Sequence, residues 1–231
     1  MRAILLAAGL GTRLRPLTLG TPKCLMQIKG VPLLKIWLAK LKDAGFEKVL
    51  VNTHYLSEKV EHFLSNEFSD FVEISYEKNL LGTAGTLIHN ASFYEGEDVI
   101  LIHADNYCNL NIKALIHAHS TRPKKCLMTL GTFLTSYPQD CGILEVDKDG
   151  VVQKWVEKPL SSMNCLANGA IYALSREILD LIILRGVDNN YSDFVRDMIP
   201  MFIGKIYTYF IIDGVIDIGT EERYNEANRE S

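Results

Sequence analysis

Two hydrophobic rhythms alternate along the first half of the chain. Short runs at residues 2–8, 48–53, 71–76 and 98–103 read as strands, the first and last apolar enough for strands buried on both faces. Between them the apolar positions fall at helical spacing. In residues 31–44, Leu34, Trp37, Leu38 and Leu41 form one stripe, with Pro32 in the first turn and Gly45 just past the end. A second helix, capped by Ser57, carries Val60, Phe63 and Leu64. Strands alternating with helices of this length need crossover connections, so the pattern predicts an α/β fold with a mostly parallel sheet.

The second half reads differently. A strand is expected over 125–133, and residues 141–146 and 151–156 flank Asp147-Lys148-Asp149-Gly150 as a β-hairpin. A strand at 166–172 leads to a helix capped by Ser175, with Ile178, Leu181 and Ile182 inward. A polar loop at 188–193, a helix that Pro200 ends, a strand at 206–212 and a polar closing helix at 220–231 complete the pattern. Glu221 and Glu222 suit the N-terminal end of that last helix.

A length of 231 residues fits one such domain. The net charge of −4 supplies no field for nucleic acid, so an anionic ligand must be met by local cations. Five scattered cysteines without a Cys-x-x-Cys pair indicate reduced thiols in a cytoplasmic protein. No run reaches the ~18 apolar residues of a membrane span, and the first is too short for a signal peptide. His117 and His119, two apart on a helix, make a poor metal pair and are expected at the surface.

The chemistry concentrates where the first run ends, in Gly9-Leu10-Gly11-Thr12-Arg13. Two glycines one residue apart let consecutive N–H groups approach one anion, although a tight turn is the plainer reading of a lone pair. Arg13, Arg15 and Lys23 in the same loop, stiffened by Pro16 and Pro22, turn the balance toward phosphate. Leu14 stands where a dinucleotide fingerprint needs its third small residue, and no Walker Gly-Lys-Ser/Thr is present. Asp105, after the 98–103 run, is placed like a ligand for Mg²⁺ bridging phosphates, with a turn-forming Asp-Asn as the alternative. Glu157-Lys158-Pro159 closes the hairpin, where a solvated charge pair is the alternative to a binding role.

The stretch Gly9-x-Gly11-Thr12-Arg13, then Thr18, then Pro22-Lys23 resembles the nucleotide-binding signature of the sugar-1-phosphate nucleotidylyltransferases. The resemblance continues through Gly82-Thr83-Ala84-Gly85, Asp105, Gly142, Glu157-Lys158-Pro159, Asn168-Gly169 and Asp217-Ile218-Gly219-Thr220. It implies one Rossmann-like domain over residues 1–231, a mixed, mainly parallel sheet with the hairpin over the sugar site and no added C-terminal β-helix. It assigns Leu6, Ala8, Gly9, Gly11, Thr12, Arg13, Lys23, Gly82, Thr83, Gly85 and Asp105 to the nucleotide. Gly142, Glu157, Lys158, Asn168 and Gly169 fall to the sugar phosphate, and Asp105 and Asp217 to Mg²⁺. Arg13, Lys23, Asp105 and Asp217 are the catalytic set.

The implied reaction joins a nucleoside triphosphate to a sugar 1-phosphate with release of pyrophosphate, in nucleotide-sugar synthesis for surface polysaccharide or glycoconjugate. The short chain and the Gly82-to-Gly85 segment look most like small bacterial guanylyltransferases, implying GTP and a mannose-, heptose- or glucosamine-type 1-phosphate. Uridylyl, thymidylyl or cytidylyl transfer, a phosphocholine-like acceptor and a regulatory homologue are the alternatives, and a homodimer stays open. Two carboxylates sharing a site without a cation repel, so the pKa of one is expected to rise.

Overall fold

The computed structural model describes residues 1–160, 164–185 and 192–229. In chain order its strands are β1 (Arg2–Leu6), β2 (Gln27–Ile28), β3 (Val31–Pro32), β4 (Val49–Thr53), β5 (Val72–Tyr76), β6 (Val99–His103), β7 (Asn106–Tyr107), β8 (Met128–Leu134), β9 (Gly142–Val146), β10 (Val152–Glu157), β11 (Leu166–Leu174), β12 (Ile206–Phe210) and β13 (Ile216–Asp217). The helices are α1 (Leu33–Asp43), α2 (Ser57–Phe68), α3 (Thr83–His89), α4 (Ile112–Ser120), α5 (Arg176–Arg185) and α6 (Glu221–Arg229).

β5, β4, β1 and β6 lie side by side in parallel. β11 then runs antiparallel to β6 and to β8, and β8 pairs in parallel with β12. The β9–β10 hairpin joins the start of β11 through Ala167 and Ile143. The sheet is therefore mixed and mainly parallel, as expected. The period of two sorts each strand's side chains between two cores. Ala3 and Leu5 face the side covered by α1, α2, α4 and α6, while Ile4 and Leu6 face α3, α5 and the segment around Phe194. Continuous apolar runs result because both faces are covered.

Several expectations change in detail. Gly82 does not sit in a loop that continues to Thr86; α3 begins at Thr83, because the carbonyl of Ser192 accepts the N–H groups of Ala84 and Gly85 and holds the first turn. Ser57 is the first residue of α2 and makes no cap; Leu56, at φ +49°, turns the chain into the helix. Ser175 does cap α5 through the Ile178 N–H at 3.3 Å, but the inward residue beside Ile178 and Ile182 is Leu179, and Leu181 is exposed.

β8 starts at Met128 because a turn closed by the Cys126 N–H on Pro123 precedes it. His119 is buried, against the surface position expected for it. With Ile112 and Leu115 it forms the inward stripe of α4, within 3.0 Å of the Thr129 hydroxyl and 3.6 Å of Asp98. Pro200 sits in a 3₁₀ turn that follows a π-helical turn at Phe194–Met198. Residues 188–191 of the expected loop and 230–231 of the closing helix lie outside the described residues. Among those described, no helix is long and apolar enough to cross a membrane.

Candidate active site

The carboxyl ends of β1, β4, β5 and β6 open onto one edge of the sheet, where a parallel α/β fold gathers its ligands. Past β1, the Ala104 N–H donates to Leu6 O at 3.0 Å, which keeps the β1 and β6 extensions together. Ala7, Ala8 and Gly9 then run along the wall of a cavity of about 190 Å³. A Cβ added at Gly9 would meet nothing within 4 Å, so the fold itself does not require glycine there. Gly11 differs: at φ +61° it is left-handed, and the Thr18 hydroxyl donates to its carbonyl at 2.7 Å. Thr12 and Arg13 are exposed on the loop that follows.

Lys23 lies where the loop returns. Its side chain is only 7% exposed, and its ammonium donates to Asp105 Oδ2 at 2.8 Å and to Asp217 Oδ1 at 2.6 Å. The two carboxylate oxygens bond one nitrogen, so they can be no further apart than the sum of those distances. What brings residues so remote in sequence together is a two-residue ribbon in which Asn106 pairs with Asp217 and Tyr107 with Ile216. The Trp37 indole N–H of α1 donates to Asn106 O at 2.8 Å and anchors the ribbon to the core.

The remaining Asp217 oxygen accepts from Arg13 Nη2 at 3.0 Å. Gly219 is needed for that contact, since a Cβ there would lie 2.7 Å from the guanidinium. Burial pushes the Asp105 carboxyl up, but the Lys23 ammonium and His103 outweigh it and hold the group below the ordinary carboxylate range. The upward shift expected of a bare pair does not occur at Asp105, because a cation already stands between the carboxylates. Burial likewise lowers the Lys23 ammonium, and the two carboxylates more than restore it, so its pKa is raised.

Behind the smaller cavity is a buried polar network that the sequence pattern did not single out. Asn52 accepts from the Ala7 N–H at 2.7 Å and donates to Glu77 Oε1 at 2.9 Å; the Thr86 hydroxyl donates to the same oxygen at 2.6 Å, and the Leu81 N–H to Oε2 at 3.0 Å. Three of the roughly four acceptor positions of the carboxylate are thus filled, and Glu77 lines the cavity. Gly82 and Thr83 line the same cavity, whereas Gly85 does not. Gly82 is held at φ +76° with the Ser192 carbonyl 2.3 Å from where a Cβ would lie.

His103 and Asp105 also line a second cavity, of about 680 Å³. Gly142, Glu157 and Asn168 face it, with the Glu157 carboxylate accepting from the Trp155 indole at 3.2 Å directly over Gly142. Asn168 accepts from the Ala170 N–H at 2.9 Å and donates to the Tyr172 hydroxyl at 3.0 Å. Gly169 lies in the β11 irregularity, where a Cβ would come within 2.8 Å of Gly131 O. Lys158 is exposed, in a left-handed conformation at φ +47°, and does not line the cavity.

An α/β sheet whose carboxyl edge carries two cavities, sharing His103 and Asp105, has room for two reactants side by side. Sequence comparison specifies the family: residues 2–231 match the model of the nucleotidyl transferase family, and the chain belongs to it. A mannose-1-phosphate guanylyltransferase catalytic subunit beta from Drosophila pseudoobscura pseudoobscura is 33% identical over 186 residues, covering 78% of this chain and 50% of that protein. A mannose-1-phosphate guanyltransferase described as putative, from Sulfolobus acidocaldarius, is 29% identical over 236 residues, covering 99% of this chain and 62% of its own. The chain thus spans between half and two thirds of the length of these relatives. Among solved structures, HddC from Yersinia pseudotuberculosis superposes with a TM-score of 0.81 at 26% identity, covering 98% of this chain and 97% of that one, and has also been crystallised with GMP-PN.

Members of this family generally use a divalent metal, and the donors present suit a hard cation. Asp105 and Asp217 converge on a single point of positive charge, and two carboxylates completed by phosphate oxygens and water are the ligand set that Mg²⁺ prefers. Among the described residues no third His, Cys, Asp or Glu joins them.

Proposed function

We propose that the chain transfers GMP from GTP to a sugar 1-phosphate of the mannose or heptose type, releasing pyrophosphate. The observation that carries the reading is the Asp105–Lys23–Asp217 cluster at the junction of the two cavities. The nucleotide takes the smaller cavity and the acceptor the larger. A phosphate oxygen of the acceptor attacks the α-phosphorus, the new P–O–P bond forms, and the bond to the β-phosphate oxygen breaks with its electron pair leaving on pyrophosphate. The nucleophile is already an anion at neutral pH, so no residue need remove a proton.

Lys23 and Arg13 neutralise the triphosphate and orient it in line with the acceptor. Asp105 and Asp217 would hold Mg²⁺, which when bound offsets the repulsion between two anions. Glu77 on the smaller cavity offers a carboxylate to an N–H donor of the base. The names of the relatives support the choice of guanine. Retention of Arg13, Lys23, Asp105 and Asp217 favours catalysis over a regulatory role. Pyrophosphate release with the four ribonucleotides and dTTP, each against a panel of sugar 1-phosphates, tests the reading. GTP should be fastest. UTP or dTTP turned over about tenfold faster would refute the guanylyl assignment, and no release with any pair would refute transfer itself.

A further inference from the structure

The larger cavity has an electrostatic problem that none of the residues considered so far solves. Seven carboxylates line it, and among the described residues the only guanidinium or ammonium groups lining it are those of Arg13 and Arg223. Arg13 is 66% exposed and engaged with Asp217. Lys158, which the family resemblance gives to the sugar-bound phosphate, does not line the cavity. An acceptor carrying a phosphate dianion would therefore enter a field of like charge unless one further cation meets it.

Arg223 has the form of such a cation. It stands in the first turns of α6, its N–H donating to the Thr220 hydroxyl at 3.3 Å. Its guanidinium carbon lies 3.8 Å from the centre of the Tyr137 ring, and Nη1 donates to Glu226 Oε2 at 2.7 Å. The side chain is 24% exposed. Stacking fixes the plane of the fork, and Glu226 occupies one nitrogen, so the other N–H groups are held for a ligand at small entropic cost. A lysine could not be held this way.

We infer that Arg223, stacked on Tyr137 and steadied by Glu226, binds the phosphate of the acceptor sugar in the larger cavity. The inference rests on the acceptor reading under Proposed function and extends it to a specific residue. Tyr137 and Glu226 are positioning residues, acting through the guanidinium.

Initial rates with GTP and mannose 1-phosphate varied separately give the test, using the full chain with Arg223→Gln, Arg223→Lys and Tyr137→Leu. Arg223→Gln should raise the KM for mannose 1-phosphate by about tenfold or more and leave that for GTP within about twofold. Arg223→Lys, which keeps the charge and loses the fork, and Tyr137→Leu, which keeps the fork and loses the stack, should fall between it and wild type.

Calorimetry adds a direct readout: mannose 1-phosphate should bind more tightly than free mannose to wild type, and Arg223→Gln should erase most of that difference. An acceptor KM unchanged in a folded Arg223→Gln protein overturns the inference. Equal losses for GTP and acceptor with a lowered melting temperature also overturn it, since that is what a structural role predicts. If Arg223→Gln does not fold, the other two variants decide on the same criterion. Should wild type reject mannose 1-phosphate but accept another sugar 1-phosphate, the sugar assignment falls and the same comparison is made with that acceptor. Should it accept none, the acceptor reading falls and this inference with it.

Discussion

Replacing Lys23 by Met tests the centre of the site, because it removes one charge and leaves two carboxylates facing each other. A hydrogen bond to a charged group contributes about 1.5–3 kcal/mol when sheltered. Here the carboxylates are 36% and 47% exposed, so solvent screens both bonds, and losing the two together should cost about 2 kcal/mol in all. For a chain of this size that is a fall in melting temperature of about 4–8 °C. The bare pair should then take up a divalent ion more readily, since Mg²⁺ no longer competes with an ammonium 2.6 Å from Asp217. Thermal unfolding with and without roughly 10 mM Mg²⁺ should show a larger stabilisation in Lys23→Met than in wild type. Turnover should nevertheless fall by about 10²-fold or more, because the cation proposed to neutralise the triphosphate is gone. A variant that keeps its kcat/KM, or one that melts lower and responds to Mg²⁺ no more than wild type, would refute the arrangement.

Two glycines should behave oppositely. Gly82→Ala should destabilise the fold by about 3 kcal/mol, combining a left-handed φ with a clash on Ser192 O, and calorimetric melting will show it. Gly9→Ala, with open space around its Cβ, should melt like wild type and lose nucleotide affinity, which titration with GTP will measure. Asp197 is held down to about 2 by its bonds to Arg196 and by the Asp193 N–H. Its folded pKa lies below the unfolded one, so its contribution is present above ~4 and is lost as pH falls toward ~2. Asp197→Asn should therefore flatten the decline of the urea midpoint across that window; an unchanged slope would show that the carboxylate is not a source of acid lability.

Much of this molecule could be read from its sequence where the signal is local. The runs that became β1, β4 and β6 are nearly continuous because both faces are covered, β5 at the sheet edge keeps Glu73 and Tyr76 exposed, and Leu34, Trp37, Leu38 and Leu41 marked α1 by spacing alone. The glycine loop stood out by its own residue types, and the structure sets Gly9 and Lys23 on one cavity. Asp105 and Asp217 came together on paper only through the family resemblance, since nothing local to either reveals the ribbon that pairs them. Glu77 looked like one acid in a polar stretch, yet it is 3% exposed, because its burial depends on Asn52 and Thr86 from two other elements. His119 could have been found from its stripe with Ile112 and Leu115. Arg223 sits in a helix that is polar almost throughout, where its stack on Tyr137 leaves no trace in the spacing.

The β7–β13 ribbon also sets when the site can exist. A chain emerging from the ribosome at about 5–20 residues per second can assemble β1, β4, β5 and β6 early, with their glycine loop and Asp105 in place. Asp217 arrives more than a hundred residues later, and until it pairs opposite Asn106 the carboxylate pair is half made. Lys23 gains Asp105 as a partner first, 82 positions on, and Asp217 only later. If Asp105 and Asp217 hold the ion as proposed, the nascent protein can hold it on both carboxylates only after nearly all of the surrounding sheet has been synthesised.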